Sequence, residues 1–170
     1  MKKKQKGFSL IELLIVVAII LIIAAIAIPN LLRSRMAANE ASAVGGIRTM
    51  VTSQVTYYTT WNNGYAASLA VLGGAAPCTA SSNTACLIDP VLTLGSTNGK
   101  SGYFFELASA AAGTSTINNT FGTDAYPQNV GTTGQRAFCS DESGVVRFNT
   151  AGTEIGTTDT ACQALTTILQ

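Results

Sequence analysis

The amino-acid sequence predicts an α+β fold, in which a long N-terminal helix packs on an antiparallel sheet of about four strands. The first observation is a long apolar run near the N-terminus that continues into apolar residues spaced by three and four. The second is a change after residue 60 to a composition rich in Gly, Ser, Thr and Asn, with short strand-like segments between turn signals. These patterns place a helix first and a sheet second.

Composition argues against an enzyme. The chain has 170 residues, of which 47% are apolar and 11% charged, whereas an average soluble protein has about 25% charged residues. No histidine occurs, which excludes Ser-His-Asp and Cys-His catalysis and His-containing zinc sites. We therefore predict no enzymatic activity, no catalytic residues, no cofactor and no metal.

The first segment is long enough to cross a membrane. Twenty uncharged residues run from Leu13 to Leu32, and a helix of about 20 residues spans the hydrocarbon core. A basic cluster, Lys2–Lys6, precedes this segment and holds the N-terminus in the cytoplasm by the positive-inside rule. Residues 30–170 are therefore expected outside the cytoplasm.

Three interpretations of this segment compete, and Glu12 separates them. A secretory signal peptide would use Ala25-Ile26-Ala27 as its cut site, but the apolar run is longer than such peptides have. A plain membrane anchor explains the length and leaves Glu12 unexplained. An ionisable residue in an apolar span predicts a functional role with a partner.

The third interpretation supplies that partner. The segment Gly7–Glu12 (GFSLIE), the apolar run after it and Pro29 together resemble the class III signal of type IV pilins and pseudopilins. The resemblance implies that a prepilin peptidase removes residues 1–7, a basic leader, by cutting between Gly7 and Phe8. It also implies N-methylation of Phe8, with residues 8–29 as a transmembrane and polymerisation helix.

The chemistry of this resemblance assigns Glu12 to assembly. Cleavage creates a cationic amine on Phe8 next to hydrocarbon, and oppositely charged groups offset each other's desolvation. We therefore expect Glu12 to pair with the Phe8 amine of a neighbouring subunit and to set the register of the filament.

The helix is predicted to continue beyond the membrane, over residues 30–60. Its apolar stripe is predicted to face the sheet, and its members are Ala37, Ala41, Val44, Ile47, Val51, Val55 and Tyr58. Pro29 lacks an N–H and crowds the preceding turn, so we expect a kink there. Gly45-Gly46 is a second weak point.

Residues 61–170 are predicted to form a globular head. A connecting loop begins at Trp61 and contains a short helix over residues 65–72. The sequence of this loop is similar to that of the loop after the long helix in many pilins. Strands are predicted over residues 102–108, 114–121, 136–141 and 145–149. The last two are joined by a turn at Glu142-Ser143-Gly144.

The four cysteines of a chain exported from the cytoplasm indicate two disulfides. Three pairings are possible, of which proximity favours Cys78 with Cys86 and Cys139 with Cys162. The second would close the C-terminal segment onto the sheet, as a disulfide-bounded loop does in many pilins.

Charge patterns in the head indicate no ligand class. Acidic residues at 89, 124, 141, 142, 154 and 159 lack calcium-loop spacing, and we interpret them as solvated turn acids. Residues 62–170 carry three basic and seven acidic side chains, so direct nucleic-acid binding is not expected. Forty residues, Thr49 to Ile88, carry no charge, which is typical of a surface covered by other subunits or by glycans.

The resemblance thus implies a structural subunit of a type IV pilus, used for adhesion, motility or biofilm formation. The resemblance implies as partners further copies of the chain, the prepilin peptidase, an assembly platform with its ATPase, and the inner membrane. The precursor is expected in the inner membrane and the assembled subunit outside the cell. The alternatives are a pseudopilin of type II secretion and a membrane-anchored extracytoplasmic binding protein.

Overall fold

A single long helix, α1, runs from Leu10 to Trp61 in a computed structural model that describes residues 8–75 and 77–169. The predicted helix, residues 8–60, is confirmed to within two residues at each end. By contacts the chain divides into two units, residues 1–35 and 36–170, which are described separately below. Gly7 and the leader lie outside the described residues.

Unit 1 consists of the apolar part of α1. Its start is fixed by Ser9, whose carbonyl accepts the Leu13 N–H at 3.3 Å. The helix continues through Pro29. By length and composition α1 could cross a membrane, because an 18-residue window has a mean hydropathy of 3.3 and none of it is buried.

Unit 2 places the rest of α1 on a four-stranded antiparallel sheet, which confirms the predicted α+β fold. The strands are β1 (Tyr103–Ala110), β2 (Thr120–Pro127), β3 (Ala137–Asp141) and β4 (Arg147–Asn149). They pair in chain order, as expected for strands joined by short loops. Three short helices complete the unit: α2 (Leu69–Leu72), α3 (Pro90–Thr93) and α4 (Asp159–Gln163).

The core of unit 2 lies between α1 and the sheet. Large aromatic side chains of Tyr103, Phe105 and Phe138 are fully buried, together with Ile47 and Met50 of the helix. These side chains belong to one cluster of buried apolar residues. Such burial is worth about 1.5–3 kcal/mol for each large side chain, so this cluster is the main source of stability.

The helix face toward the core differs from the predicted stripe. Of that stripe only Ile47 is buried, whereas Val55 is 49% and Tyr58 42% exposed. The buried face lies beside it and includes Gln54, whose amide donates to Ala66 O at 2.9 Å and accepts the Ala66 N–H at 2.8 Å. Small and hydrogen-bonded polar residues thus face the core, and apolarity alone did not identify that face.

The predicted strand over residues 114–121 is wrong, since β2 begins at Thr120 and pairs along all of β1 to Pro127. Residues 111–119 form a loop in which the Asn119 side chain accepts the Ala112 N–H at 2.6 Å. The predicted helix over residues 65–72 is shortened to α2. Its first part is held elsewhere, because the Tyr65 N–H donates to Asn118 O at 2.8 Å.

Asp89-Pro90 is an N-terminal helix cap and not simply a turn. Asp89 accepts the Leu92 N–H at 2.9 Å, and Pro90 occupies the first helical position of α3. This arrangement uses the preferences of acidic and proline residues at helix starts. The predicted strands at residues 136–141 and 145–149 are confirmed as the slightly shorter β3 and β4.

Candidate functional site

The start of α1 holds the predicted assembly residue Glu12. Its carboxylate Oε2 accepts the backbone N–H of Ser9 at 3.0 Å. Ser9 and Glu12 have the spacing of a capping box, in which the acidic residue satisfies an N–H that the helix leaves unpaired. In the single chain Glu12 is therefore a helix cap, a role that the S-x-x-E pattern could have indicated.

The segment after this cap presents apolar side chains on all sides of unit 1. Phe8 is 83% exposed. Every large apolar side chain from Leu10 to Leu32 in this unit is between 46% and 77% exposed. Such a surface needs lipid or other helices around it.

The outer face of α1 in unit 2 is also uncovered, and its polar groups are satisfied within the helix. The hydroxyl of Thr49 donates to Gly45 O, that of Thr52 to Arg48 O and that of Thr56 to Thr52 O, each at 2.9 Å. Because these hydroxyls already have acceptors, the face can be covered without leaving buried donors unpaired. Together with exposed Val55 and Tyr58, they form a surface that we call the outer α1 face.

An ion pair between Glu40 of α1 and Arg136, which directly precedes β3, joins the helix to the sheet. Arg136 donates from Nη2 and Nε to Oε2 of Glu40 at 2.7 and 3.0 Å. Glu40 Oε1 also accepts the N–H groups of Gln135 and Arg136, at 3.0 and 3.2 Å. The Arg136 guanidinium lies 5.3 Å from the ring centroid of Phe138 and 5.1 Å from that of Phe148. This bidentate pair fixes the helix against β3, and nothing in the sequence pattern had singled it out.

The structure pairs Cys78 with Cys86 and Cys139 with Cys162, which is the pairing that proximity favours. The second disulfide joins β3 to α4, and both of its cysteines are fully buried. It encloses β4 and the loop that follows. Cys78 is exposed, so the first disulfide closes a surface loop.

The acidic residues of the head do not all behave as solvated turn acids, and that interpretation is wrong for Asp124 and Asp141, which are fully buried. Burial acts to raise the pKa of Asp141, but hydrogen bonds from Ser143 and Gln163 and the charge of Arg147 hold it below 3.8. Burial raises the pKa of Asp124 to about 7. Within the described ranges, the structure brings no three His, Cys, Asp or Glu side chains together as a metal site.

Comparison with known proteins concerns the N-terminal part. Residues 2–28 match the family described as the prokaryotic N-terminal methylation motif. This span contains Gly7, Phe8 and Glu12. The chain is a relative of the type IV pilins.

Two such pilins show the extent of the relationship. The chain is 46% identical over 70 residues to the type IV wide pilus major component PilA4 of Thermus thermophilus, which covers 41% of this chain and 53% of that protein. It is 42% identical over 55 residues to the type IV major pilin protein PilA of Myxococcus xanthus, covering 32% of this chain and 25% of that protein. The match thus spans about half of the first relative and a quarter of the second. No solved structure was found to match this pilin relative.

Proposed function

We propose that this pilin relative is a structural subunit of a type IV pilus, made as an inner-membrane precursor and assembled outside the cell. A prepilin peptidase would cut between Gly7 and Phe8 and methylate the new Phe8 amine. The subunit would then polymerise through α1, driven by an assembly platform and its ATPase. The filament would serve adhesion, motility or biofilm formation.

The observation that carries this proposal is the methylation motif on a helix whose sides are apolar and uncovered. Moving such a helix from lipid into a bundle of helices gains little from the hydrophobic effect, because lipid is equally apolar, so close packing supplies the gain. The outer α1 face would continue the contact beyond the membrane segment. Its threonine hydroxyls are already bonded, which lowers the cost of covering it.

Glu12 would exchange partners during this process. In the single chain it accepts the Ser9 N–H. In the filament it would pair with the methylated amine of Phe8 on a neighbouring subunit, so that each carboxylate fixes the position of the next chain. The hydrogen bond from the Ser9 N–H would compensate the Glu12 carboxylate in the membrane until the subunit is assembled.

A Glu12→Gln variant separates the two roles. Glutamine keeps a side-chain oxygen for the Ser9 N–H but carries no charge. We expect normal cleavage and methylation, measured by intact mass of the membrane fraction, with loss of filaments from material sheared off the cells. Glu154→Gln, in an exposed head loop, is the matched control and should assemble normally.

Intact mass of sheared wild-type material tests the proposal as a whole. A species that begins at N-methyl-Phe8 supports it. A species that stays with the cells and still begins at Met1 would refute it and favour a membrane-anchored binding protein. Microscopy distinguishes a long surface pilus from the short periplasmic fibre of a type II secretion pseudopilin. If the Glu12→Gln variant forms filaments at wild-type yield, the proposed ion pair between Glu12 and the Phe8 amine is refuted.

A further inference from the structure

A buried carboxyl holds the loop between β4 and α4, residues 150–158. Asp124 on β2 is fully buried. Its Oδ2 accepts the backbone N–H groups of Ile155 and Gly156 at 2.8 and 2.9 Å. Its Oδ1 is buried with no hydrogen-bond partner within residues 8–75 and 77–169. An ionised carboxylate in this position would have one oxygen whose charge nothing compensates.

The titratable neighbours of Asp124 are mostly acidic. Glu106 lies directly opposite on β1, and Cys139, which is in a disulfide, lies opposite on β3. The loop itself carries Glu154, and Tyr126 follows on the same face of β2. Burial is the first cause that raises the pKa of Asp124 to about 7, and Glu154 and Glu106 add to it. The two backbone N–H bonds act in the opposite direction without outweighing these causes.

Other charges on this side of unit 2 are already engaged. Arg147 on β4 donates to Oδ2 of Asp141 on β3 at 3.3 Å. Asp159, at the start of α4, accepts the Thr160 N–H at 2.8 Å. Arg147 is thus paired with another acid and does not neutralise Asp124.

Among the described residues, few other hydrogen bonds or covalent links hold this loop in place. Asn149 holds its first part, since its side chain accepts the Gly152 N–H at 2.9 Å and donates to Thr153 O at 3.0 Å. Its far end is held through α4 by the disulfide to β3. Between these points, the backbone N–H groups of residues 155 and 156 donate to the Asp124 carboxyl.

We propose that Asp124 is a proton-dependent latch for this loop: the protonated carboxyl holds Ile155 and Gly156 against the sheet, and ionisation weakens that hold. The inference is independent of the proposed pilus function, because it concerns the folded head alone. A carboxyl protonated at Oδ1 still accepts both N–H groups at Oδ2 and removes the uncompensated charge. The loop is therefore held most firmly in acid.

The direction of the pH dependence follows from the two states. In the docked state the pKa of Asp124 is about 7, and its ordinary value is 3.8. Between about pH 4 and pH 7, opening of the loop therefore releases a proton, and the opening equilibrium constant rises about tenfold per pH unit. The opening equilibrium constant is lowest below the lower pKa, rises progressively up to the upper pKa and stays at its highest value above it.

Amide hydrogen exchange on the full chain in detergent micelles tests the latch. Protection factors of the Ile155 and Gly156 amides, corrected for intrinsic exchange, report the opening equilibrium. We expect protection to fall about tenfold per unit from pH 5 to pH 7 and to level off by pH 8. Amides in the β1–β2 pairing should stay protected throughout. The ¹³C shift of the Asp124 carboxyl gives its titration directly.

Two variants complete the test. Asp124→Asn keeps an oxygen for both N–H groups and is neutral at every pH, so loop protection should become independent of pH and remain high at pH 8. Asp159→Asn, the same substitution in the adjacent helix α4, should retain the wild-type profile. A flat wild-type profile, an Asp124 midpoint below pH 5, or β1–β2 amides that open together with the loop would each overturn the proposal.

Discussion

Two adjacent glycines of α1 provide a test of how the helix packs on the sheet. A β-carbon added to Gly46 would overlap the ring of Phe105, whereas one added to Gly45 would meet nothing within 4 Å. Both residues lie inside the helix. Gly45→Ala and Gly46→Ala therefore make the same chemical change with and without a clash.

The expected magnitudes follow from this difference. Replacing a helical glycine by alanine stabilises by about 0.8–1 kcal/mol. Gly45→Ala should therefore raise the free energy of unfolding by about that amount. Gly46→Ala gains the same propensity but adds an overpacking cost of about 1–3 kcal/mol, because a buried aromatic ring cannot move freely. The two variants should thus differ by about 1–3 kcal/mol.

Thermal unfolding of the full chain in micelles measures this difference. Trp61 packs against the core and reports on the head by fluorescence. For a protein of this size, 1 kcal/mol corresponds to about 2–4 °C in the midpoint. Equal midpoints for the two variants would refute the packing of Gly46 on Phe105 and the helix orientation derived from it.

Three further predictions concern the head. Glu40→Gln should lower the free energy of unfolding by about 1.5–3 kcal/mol in chemical denaturation, because it breaks a bidentate charged contact; Lys100→Gln, in an exposed ion pair, should change it by less than about 1 kcal/mol. Under limiting reductant, the Cys78–Cys86 disulfide should open first, measured by alkylation and peptide mass, because the other disulfide is fully buried. Stability should also fall as the pH drops below about 4, because Asp141 has a pKa below 3.8 when folded and loses that stabilisation on protonation; Asp141→Asn should reduce this acid dependence.

Each of these has a result that contradicts it. Similar losses for Glu40→Gln and Lys100→Gln would mean that the Glu40 contact adds no more than a surface pair. Simultaneous reduction of both disulfides would show that burial does not protect the second. An acid transition that is unchanged in Asp141→Asn would assign the loss of stability to other carboxyls.

Periodicity predicted the helix well and its buried face poorly. The run from Leu10 to Trp61 was readable because a helix of this length repeats its signal many times. The side that faces the sheet was not, since Gly46 and Gln54 are buried there while Val55 is exposed. Glycine permits close approach to Phe105, and Gln54 is satisfied by Ala66, and both partners are distant in sequence.

The strands show the same limit. Residues 137–141 and 147–149 were predicted from their own composition, because the turn between them is local. The segment 114–121 contains good strand formers, yet β2 begins at its last two residues and includes Asp124 and Pro127. Pairing with β1 decided this register, and strand preference depends strongly on such neighbours.

The sequence by itself determined the α+β class, the membrane-length helix, the methylation motif and the position of Glu12 in the apolar segment. Each of these depends on residues close together in the chain. The tertiary structure alone decided which face of α1 is covered, the contact of Glu40 with Arg136 and the burial of Asp124. These depend on segments up to 96 residues apart. Their free energies come from desolvation and hydrogen bonding that exist only after the chain has folded.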